Sequence, residues 1–373
     1  MKIGLLGGGI TSLAIGYFLK KPYEILEKED RCGGLCQSLI DKGYTFDYHG
    51  AHILFSKNKT VLELEKKLVG PNLKYQLRIS KIYFKGKLVK YPFENGLGEF
   101  DPQDNYECLY HYLFDKFPKP KNLEDWFYDT FGTGISNKYL IPYNRKIWKT
   151  EPQKMGMEWV ERIPKPPKED VIKSSLGIST EGYKHQLNFL YPNRGGVEAL
   201  IKAFAKNNKG EITLNFEVQK IYKTKNGWLV SSGSKQKEYN HVVSTLPIFE
   251  VVKMLKNIKV PKSVIKAANA LEYRALITVM LGLNKPKLTN LVAIYFPDED
   301  FFPHRVYKNM QVTKYAYPVY DLYYQKNMKI LKAFLSSINL HICGRFGGFE
   351  YINTDVCIES AQKLASELNQ LPD

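Results

Sequence analysis

The chain has 373 residues, of which 44% are hydrophobic and 25% are charged, the composition of a globular protein long enough for more than one core. It contains no run of ~20 apolar residues, so we expect no membrane span, and its first residues lack the pattern of a secretory signal peptide. The net charge of +16 favours an anionic partner, which leaves nucleic acid, a membrane surface or a phosphorylated small molecule as candidates.

The N-terminal segment predicts a nucleotide-binding unit. Lys2–Leu6 is a short apolar strand, Gly7–Gly9 a turn, Ile10–Leu19 a helix, and Tyr23–Leu26 a second strand. The acidic Glu27 follows that second strand directly. Strand, glycine turn, helix, strand and acid in this order are the context that a dinucleotide-binding fingerprint requires.

Each residue of this turn has a physical role in such a unit. Gly7 permits the tight turn, and Gly9 lets backbone N–H groups approach a pyrophosphate at the helix N-terminus. Glu27 suits a pair of ribose hydroxyls and repels a 2′-phosphate. The third glycine of the fingerprint is replaced by Ser12, whose small side chain we expect the helix–strand contact to tolerate.

A second glycine pair favours FAD over NAD as the dinucleotide. Gly33 and Gly34 lie in the segment "RCGGLCQS", led by Arg31. This segment resembles the continuation found in two-dinucleotide-binding flavoproteins of the amine-oxidase and mutase superfamily. The alternative is an ordinary Gly-Gly loop.

The five cysteines are scattered without a second close pair, which favours reduced thiols in a cytoplasmic protein over a metal site.

The rest of the chain predicts a mixed α/β protein, a Rossmann-like FAD-binding domain with a helical insert and an antiparallel-sheet insert. The predicted FAD-binding domain is discontinuous (1–60, 190–250 and 335–373), the helical domain spans 100–185, and the sheet and substrate domain combines 61–99 with 251–334. The predicted elements are helices at 60–68, across 104–141, from 195 and at 356–368, and strands at 78–93, 217–231, 241–247, 272–283 and 291–296.

Lysines at 57–90 alternate with apolar residues, which favours a solvated strand face over a nucleic-acid surface.

Three later stretches resemble the UDP-galactopyranose mutase family, especially its eukaryotic branch. They are "GAHILFSKN" at 50–58, the segment 131–164 that contains "PYNRKIW" and "WVERIP", and "GRFGGFEYINTDVCIESA" at 344–361. "YPNRGGVEAL" and "IYFPDEDFFPHR" extend the resemblance over nearly the whole chain. The size of the chain is closer to that of the bacterial members.

The resemblance implies three residues at the chemical centre. His52 matches the histidine whose loop lies against the flavin ring. Arg162 and Arg305 match two arginines that clamp the substrate diphosphate, where forked guanidinium groups stabilise the charge that grows as the glycosidic bond breaks.

The resemblance also implies contacts to the rest of the substrate and to the cofactor. Tyr139 stacks on the uracil, Tyr91 and Glu94 lie near the uridine, Asn144 and Trp148 line the sugar pocket, and Tyr295, Tyr317 and Tyr351 reach the phosphates. The implied cofactor contacts are Gly7, Gly9, Thr11, Ser12, Glu27, Gly33, Gly34, Val218, Arg345 and Asp355.

Two positions depart from the eukaryotic pattern. Ala293 stands where those enzymes have a tryptophan in the sugar pocket, and Glu94 stands where they have a glutamine. An ionised carboxylate accepts hydrogen bonds but donates none, so Glu94 either pairs with a donor-rich base such as guanine or points to solvent.

The resemblance implies that FAD must be reduced, with flavin N5 acting as nucleophile at the anomeric carbon, and that UDP-galactopyranose or a close analogue becomes the furanose without net redox change. The implied partners are a nucleotide-diphosphate sugar and an external reductant such as NAD(P)H, with no nucleic acid and with the oligomeric state left open. The alternatives are an FAD-dependent oxidase or desaturase of the protoporphyrinogen or amine oxidase type, and a basic nucleic-acid-binding scaffold that retains a nucleotide fold.

Overall fold

The computed structural model describes the whole chain except residues 51, 181–187, 280–289, 302, 307–309 and 373. The strands are β1 (Ile3–Leu6), β2 (Tyr23–Leu26), β3 (Ser38–Asp41), β4 (Tyr44–Asp47), β5 (Leu73–Leu77), β6 (Ser80–Phe84), β7 (Lys87–Lys90), β8 (Asn188–Pro192), β9 (Glu211–Thr213), β10 (Lys220–Thr224), β11 (Gly227–Ser232), β12 (Lys235–Tyr239), β13 (His241–Ser244), β14 (Leu255–Lys256), β15 (Tyr273–Val279), β16 (Ala293–Tyr295), β17 (Arg305–Val306), β18 (Met310–Pro318) and β19 (Leu340–Ile342). The α-helices are α1 (Ile10–Phe18), α2 (Lys59–Val69), α3 (Pro102–Phe114), α4 (Leu123–Ile135), α5 (Ile141–Trp148), α6 (Lys168–Ser175), α7 (Glu198–Asn207), α8 (Ile248–Met254), α9 (Lys262–Asn269), α10 (Tyr324–Ser337) and α11 (Thr354–Asn369).

A parallel sheet in the order β19-β13-β1-β2-β9 organises the nucleotide-binding part. Leu5 of β1 lies between Val243 of β13 and Ile25 of β2 in register. All four residues of β1 and all four of β2 are buried, as expected when helices cover both faces of a parallel sheet. The mixed α/β fold predicted from the sequence is confirmed, and so is the opening order of strand, turn, helix and strand.

Smaller sheets surround this centre. Their strand orders are β12-β11-β10-β14, β17-β16-β6-β7, β15-β18, β3-β4 and β5-β8. The antiparallel pair β6–β7 turns at Lys85 and Gly86, which both have positive φ, the signature of a two-residue hairpin. Because β16 pairs with β6, this hairpin is joined to the strand that precedes the loop leading to Arg305.

The helical part is built by α3, α4 and α5, with a π-helical turn at Ser136–Leu140 between α4 and α5. Its aromatic residues form a hydrophobic core that also includes Ile82 and Val89 of the β6–β7 hairpin. The aromatic-rich segment 104–141 therefore folds as helices, as predicted. The core joins the helical part to the hairpin, so both present side chains to the same space.

Several elements of the structure were not predicted from the sequence, among them β3, β4, α6, α8, α9 and α10. Helix α10 was missed although its buried residues, Tyr324, Met328, Leu331 and Leu335, recur at helical spacing. The strand predicted at 272–283 is confirmed over Tyr273–Val279, and residues 280–283 fall outside the described residues. The division into three domains remains a prediction. Across the described residues, no helix combines the length and apolarity needed to cross a bilayer.

Candidate active site

The two glycine segments of the sequence converge at the start of α1. The Gly33 N–H donates to the Gly8 carbonyl (2.9 Å), and Gly9 and Gly33 form an isolated parallel bridge. Gly7 has φ +96°, which favours glycine, and a Cβ built on Gly9 meets no atom within 4 Å. The space beside Gly9 is therefore open at the helix N-terminus, where a pyrophosphate binds.

The acid after β2 anchors this turn. The Glu27 side chain is buried, and its Oε2 accepts a hydrogen bond from the Gly8 N–H (2.5 Å) while Oε1 accepts one from the Glu29 N–H (3.0 Å). Burial raises the pKa of Glu27, although these hydrogen bonds oppose the shift. A ribose contact for Glu27 remains a prediction, and the structure adds a role in shaping the glycine turn.

The other predicted cofactor residues near the turn differ in their contacts. Ser12 is fully buried, and its Oγ lies 3.0 Å from Oγ1 of Thr245, the residue after β13, so the serine that replaces the third glycine packs α1 against the sheet. Thr11 lies directly against Gly344, where an added Cβ would meet its Oγ1 at 2.5 Å. Val218 is buried in a hydrophobic core together with Ile221 of β10 and Val230 of β11.

A cavity of about 2370 Å³ opens beyond this turn. It is larger than the ~300–1,000 Å³ typical of a pocket for one small ligand, as expected if a cofactor ring and a substrate share it. Its wall includes every predicted catalytic and substrate residue and two of the cofactor residues: His52, Tyr91, Glu94, Tyr139, Asn144, Trp148, Arg162, Tyr295, Arg305, Tyr317, Arg345, Tyr351 and Asp355. The wall does not include Gly7, Gly9, Thr11, Ser12, Glu27, Gly33 or Gly34, which lie at or beside the turn, or Val218, which lies in a hydrophobic core.

His52 and Arg345 present unpaired polar atoms in this wall. Within the described part of the chain, His52 Nε2 and the Nε and Nη2 atoms of Arg345 are buried without a hydrogen-bond partner. Burial, with the neighbouring charge of Arg345, lowers the pKa of His52 to about 4, so its imidazole is neutral near pH 7. Buried polar atoms without a partner in the chain are satisfied from outside it, by a ligand or by water. Asp355, in the first turn of α11, accepts a hydrogen bond from Ser56.

The predicted diphosphate arginines lie on different elements, each beside a tyrosine ring. Arg162 ends the 3₁₀ turn Val160–Arg162, where its Nη1 donates to Asn353 Oδ1 (3.2 Å) and its Cζ lies 4.8 Å from the centre of the Tyr351 ring. Arg305 begins β17, where its Nη2 donates to the Tyr143 hydroxyl (3.2 Å) and its Cζ lies 4.5 Å from the Tyr295 ring centre.

Each of these arginines has a cationic neighbour that shares its tyrosine. Arg345 Cζ lies 4.6 Å from the Tyr351 ring centre, and Arg78 Nη2 donates to the Tyr295 hydroxyl (3.3 Å). Burial alone would raise the pKa of Tyr295, but the charges of Arg305 and Arg78 outweigh it and lower this pKa. The wall therefore holds two cationic groups, an Arg162–Arg345 pair and an Arg305–Arg78 pair.

Stacked aromatic rings also line the wall. Tyr139 stacks on Phe93 (4.8 Å, 6°) and on Tyr143 (5.3 Å, 10°), and Tyr91 stacks on Tyr295 (4.7 Å, 12°). Tyr139 is thus already part of a ring column, and a base would extend that column rather than create it.

The sugar-pocket residues of the prediction contact each other. Asn144 Oδ1 accepts a hydrogen bond from Trp148 Nε1 (3.2 Å), and its Nδ2 donates to the Leu140 carbonyl (2.7 Å). Trp148 packs edge-on against Tyr317 (6.2 Å) and Tyr351 (5.8 Å), which stack on each other at 5.5 Å. Asn144 therefore orients Trp148 toward this tyrosine pair. Ala293 is buried in β16 opposite Ser80 and does not form part of the cavity wall.

Sequence reasoning missed Arg78, Tyr143 and Lys146. Arg78 was included in the lysine-rich stretch that the sequence predicts to be solvated, whereas the structure places Lys57, Arg78, Lys81 and Lys90 in the cavity wall. Arg78 lies just before β6, and it reaches Tyr295 because β6 pairs with β16, which ends at Tyr295. No local sequence pattern predicts that pairing.

The sequence matches the family of flavin-containing amine oxidoreductases over residues 20–326, which is most of the chain. The chain belongs to that family. Its cofactor is FAD, and the residues present fit this flavin dinucleotide, because the open space at Gly9 and the unpaired donors of Arg345 match a pyrophosphate and a ring system.

Solved structures share the fold of this flavoprotein at low sequence identity. A crystal structure of reduced UDP-galactopyranose mutase matches with a TM-score of 0.86 and 21% identity, covering 98% of this chain and 93% of that one. A putative protoporphyrinogen oxidase from Exiguobacterium sp. 255-15 matches with a TM-score of 0.72 and 15% identity, over 99% and 98% of the two chains. A CLA-producing fatty acid isomerase from P. acnes matches with a TM-score of 0.64 and 12% identity, over 98% of each chain.

Proposed function

We propose that this flavoprotein interconverts the pyranose and furanose forms of a nucleotide sugar, UDP-galactose or a close analogue. The observation that carries the proposal is that Arg162 and Arg305, the latter with Arg78 beside it, lie on separate elements in the wall of a single cavity. Guanidinium groups that approach from separate elements suit a diphosphate, which presents oxygens in several directions.

The arginines stabilise charge at the leaving group. When the bond between the sugar and the diphosphate breaks, negative charge grows on the diphosphate oxygens, so cations fixed in a partly dry wall stabilise the transition state more than the bound substrate. Burial lowers the pKa of Arg162, yet an arginine stays protonated because its unperturbed pKa is so high. Arg162 therefore keeps its positive charge throughout the working pH range.

The aromatic wall orients the two ends of the substrate. Tyr139 and its ring column offer a stacking surface, and the Trp148, Tyr317 and Tyr351 cluster lies on the side of Arg345. Reduced flavin supplies a nucleophilic nitrogen when bound. Because the tyrosine rings pack against the guanidinium groups, they would fix the cations that hold the diphosphate, and rings and cations together would limit the access of water to the reacting carbon.

An oxidase is the second candidate, because the family is that of amine oxidoreductases and a putative protoporphyrinogen oxidase shares the fold. The cavity wall favours the mutase. A diphosphate would pair with the guanidinium groups of Arg162 and Arg305, whereas an apolar amine or ring substrate would offer them no anion.

Alanine variants of the two arginines test the proposal. Chemically reduced protein is incubated with a panel of nucleotide sugars, and the pyranose and furanose forms are separated by chromatography. We expect Arg162→Ala and Arg305→Ala each to lower turnover on the order of a hundredfold or more with unchanged flavin content, and lysine at either position to restore part of it, since it keeps the charge but loses the fork.

Arg194→Ala is the matched control, because Arg194 is exposed and lies outside the cavity wall. It should retain wild-type turnover. Near-wild-type turnover in both Arg162→Ala and Arg305→Ala, or interconversion of no sugar in the panel by the wild-type protein, would refute the proposal.

A further inference from the structure

Tyr320 lies at the junction between β18 and α10, next to the cavity wall but not in it. It follows β18 and precedes α10, and only 8% of its surface is exposed. Its neighbours Tyr317 and Asp321 belong to the wall, whereas Tyr320 does not. Tyr320 therefore acts on a ligand in the cavity only through the residues that it holds.

The hydroxyl group of Tyr320 holds the backbone of Tyr351. It accepts a hydrogen bond from the Tyr351 N–H. The Tyr351 ring lies in the wall, with the Cζ atoms of Arg162 and Arg345 at 4.8 and 4.6 Å from the ring centre. The hydroxyl group thus fixes the backbone of the residue whose ring both guanidinium groups contact.

The carbonyl group of Tyr320 holds the segment that leads to Arg162. It accepts a hydrogen bond from the Gly156 N–H (2.9 Å), and Met155 forms an antiparallel bridge with Asp321. Met155 is fully buried, and the chain continues from there into the 3₁₀ turn that ends at Arg162. One residue therefore supports both partners of a guanidinium–ring contact, through two different groups.

The backbone next to Tyr351 is strained and needs this support. Phe349 has φ +51°, a left-handed conformation that is costly for a bulky residue and persists only where its surroundings enforce it. Phe349 is fully buried, and its carbonyl accepts a hydrogen bond from the Tyr324 hydroxyl (2.9 Å). The Tyr324 ring packs against that of Tyr320 (4.2 Å between centres), so two adjacent tyrosines hold this segment by a carbonyl and by an N–H.

We propose that Tyr320 is a positioning residue, which keeps Arg162 and the Tyr351 ring in the arrangement that receives a diphosphate. The inference rests on the proposed function, in which Arg162 binds that diphosphate. Arg162 also donates to Asn353 Oδ1 (3.2 Å), close to Tyr351 in the chain, so a shift of this segment changes both contacts of the guanidinium group. A cation that is fixed before the ligand arrives stabilises charge without reorganising and loses less side-chain freedom on binding.

Removal of a single oxygen atom tests the inference. Tyr320→Phe keeps the ring and leaves the Tyr351 N–H without its acceptor. Flavin-loaded protein is titrated with UDP by calorimetry, and we expect Tyr320→Phe to weaken UDP binding about three- to tenfold, the effect of one hydrogen bond, with unchanged flavin content. Tyr315→Phe is the matched control, because the Tyr315 hydroxyl donates to Glu250 (2.9 Å) and neither residue lies in the wall; it should bind UDP as the wild type does.

Double variants separate positioning from a general loss of stability. In Arg162→Ala protein, adding Tyr320→Phe should change UDP affinity by less than about twofold, because the residue through which it acts is gone. In Arg305→Ala protein it should keep its full effect, since Arg305 lies on β17 and packs on a different ring, that of Tyr295. Wild-type UDP affinity in Tyr320→Phe, or the same loss in both backgrounds, would overturn the inference.

A second variant covers the case that Tyr320→Phe does not fold. Tyr324→Phe removes the hydroxyl that binds the Phe349 carbonyl and is then measured with the same expectations in the same two backgrounds. Wild-type UDP affinity in Tyr324→Phe, or a loss that does not depend on Arg162, would overturn the inference in that case.

The failure of the proposed function has a different signature. UDP binding with the expected dependence on Arg162, but without interconversion of any UDP-sugar by the reduced protein, would support the role of Tyr320 and refute the mutase activity. Interconversion together with the same loss of UDP affinity in both backgrounds would overturn the positioning role alone. No binding of UDP by the wild-type protein would overturn both.

Discussion

A buried acid in α2 provides a quantitative test of the fold. Glu65 has no exposed surface, and neither of its carboxylate oxygens has a hydrogen-bond partner among the described residues. The helix packs against α7 and α11, and the charge of Asp355 adds to the effect of burial. Together they raise the pKa of Glu65 from 4.5 to about 8.

This shift has a defined sign and size. The folded-state pKa lies above the unfolded one, so the stability tied to this group is fully present below pH 4.5 and is lost as the pH rises to about 8. Each pH unit in that window removes about 1.4 kcal/mol. At pH 7 the free energy of unfolding is therefore lower by about 3 kcal/mol than it would be if the side chain at position 65 stayed neutral in both the folded and the unfolded state.

Replacing the acid by its amide removes the titration while keeping the shape. We expect Glu65→Gln to raise the free energy of unfolding at pH 7 by up to about 3 kcal/mol and to leave it nearly unchanged at pH 4.5. Urea denaturation of flavin-saturated protein at both pH values measures the difference. Glu63→Gln, on the exposed face of the same helix and paired with Lys66 at 2.7 Å, should change stability by less than ~0.5 kcal/mol. Glu65→Gln that is no more stable than wild type at pH 7 would show that the carboxyl group is satisfied in a way the structure does not show.

Further changes probe the cofactor turn and the loop before Arg305. Gly9→Val should fold normally, because a Cβ at Gly9 meets no protein atom within 4 Å, but it should purify without the yellow colour of flavin; full flavin occupancy would contradict the assignment of the turn. Lys146 is buried, and its Nζ donates to the carbonyls of Phe296 (2.9 Å) and Asp298 (2.6 Å). Lys146→Met should weaken UDP binding, with a loss of about 1–3 kcal/mol in stability and unchanged flavin content; unaltered UDP affinity would show that this loop does not position Arg305.

The nucleotide-binding part of the fold was predictable because its signals are local. Gly7, Gly9 and Glu27 follow each other along one strand–turn–helix–strand unit, and hydrophobic runs marked the strands on both sides. The FAD assignment required a second local signal, the Gly33–Gly34 pair, and the family match supports it.

The cavity wall was predictable only where a resemblance supplied it. Arg162 and Arg305 are 143 residues apart in sequence, and nothing in the spacing of either shows that both line one cavity. Arg78 was lost among lysines, since a cationic strand looks the same from sequence whether it faces solvent or a cavity. The surroundings of Glu94 were beyond reach for the same reason: one expectation was that it points to solvent, whereas it is 2% exposed, and burial raises its pKa to about 8.

The central claim is that this flavoprotein catalyses an isomerisation without net redox change. The most direct measurement follows flavin absorbance and product together under anaerobic conditions, with chemically reduced protein and an excess of UDP-galactopyranose. The account predicts many product molecules of the furanose form per flavin, with the absorbance of reduced flavin unchanged and no activity from the oxidised protein. Product that appears only in step with flavin oxidation or reduction, one equivalent for each turnover, would contradict it and support the oxidase.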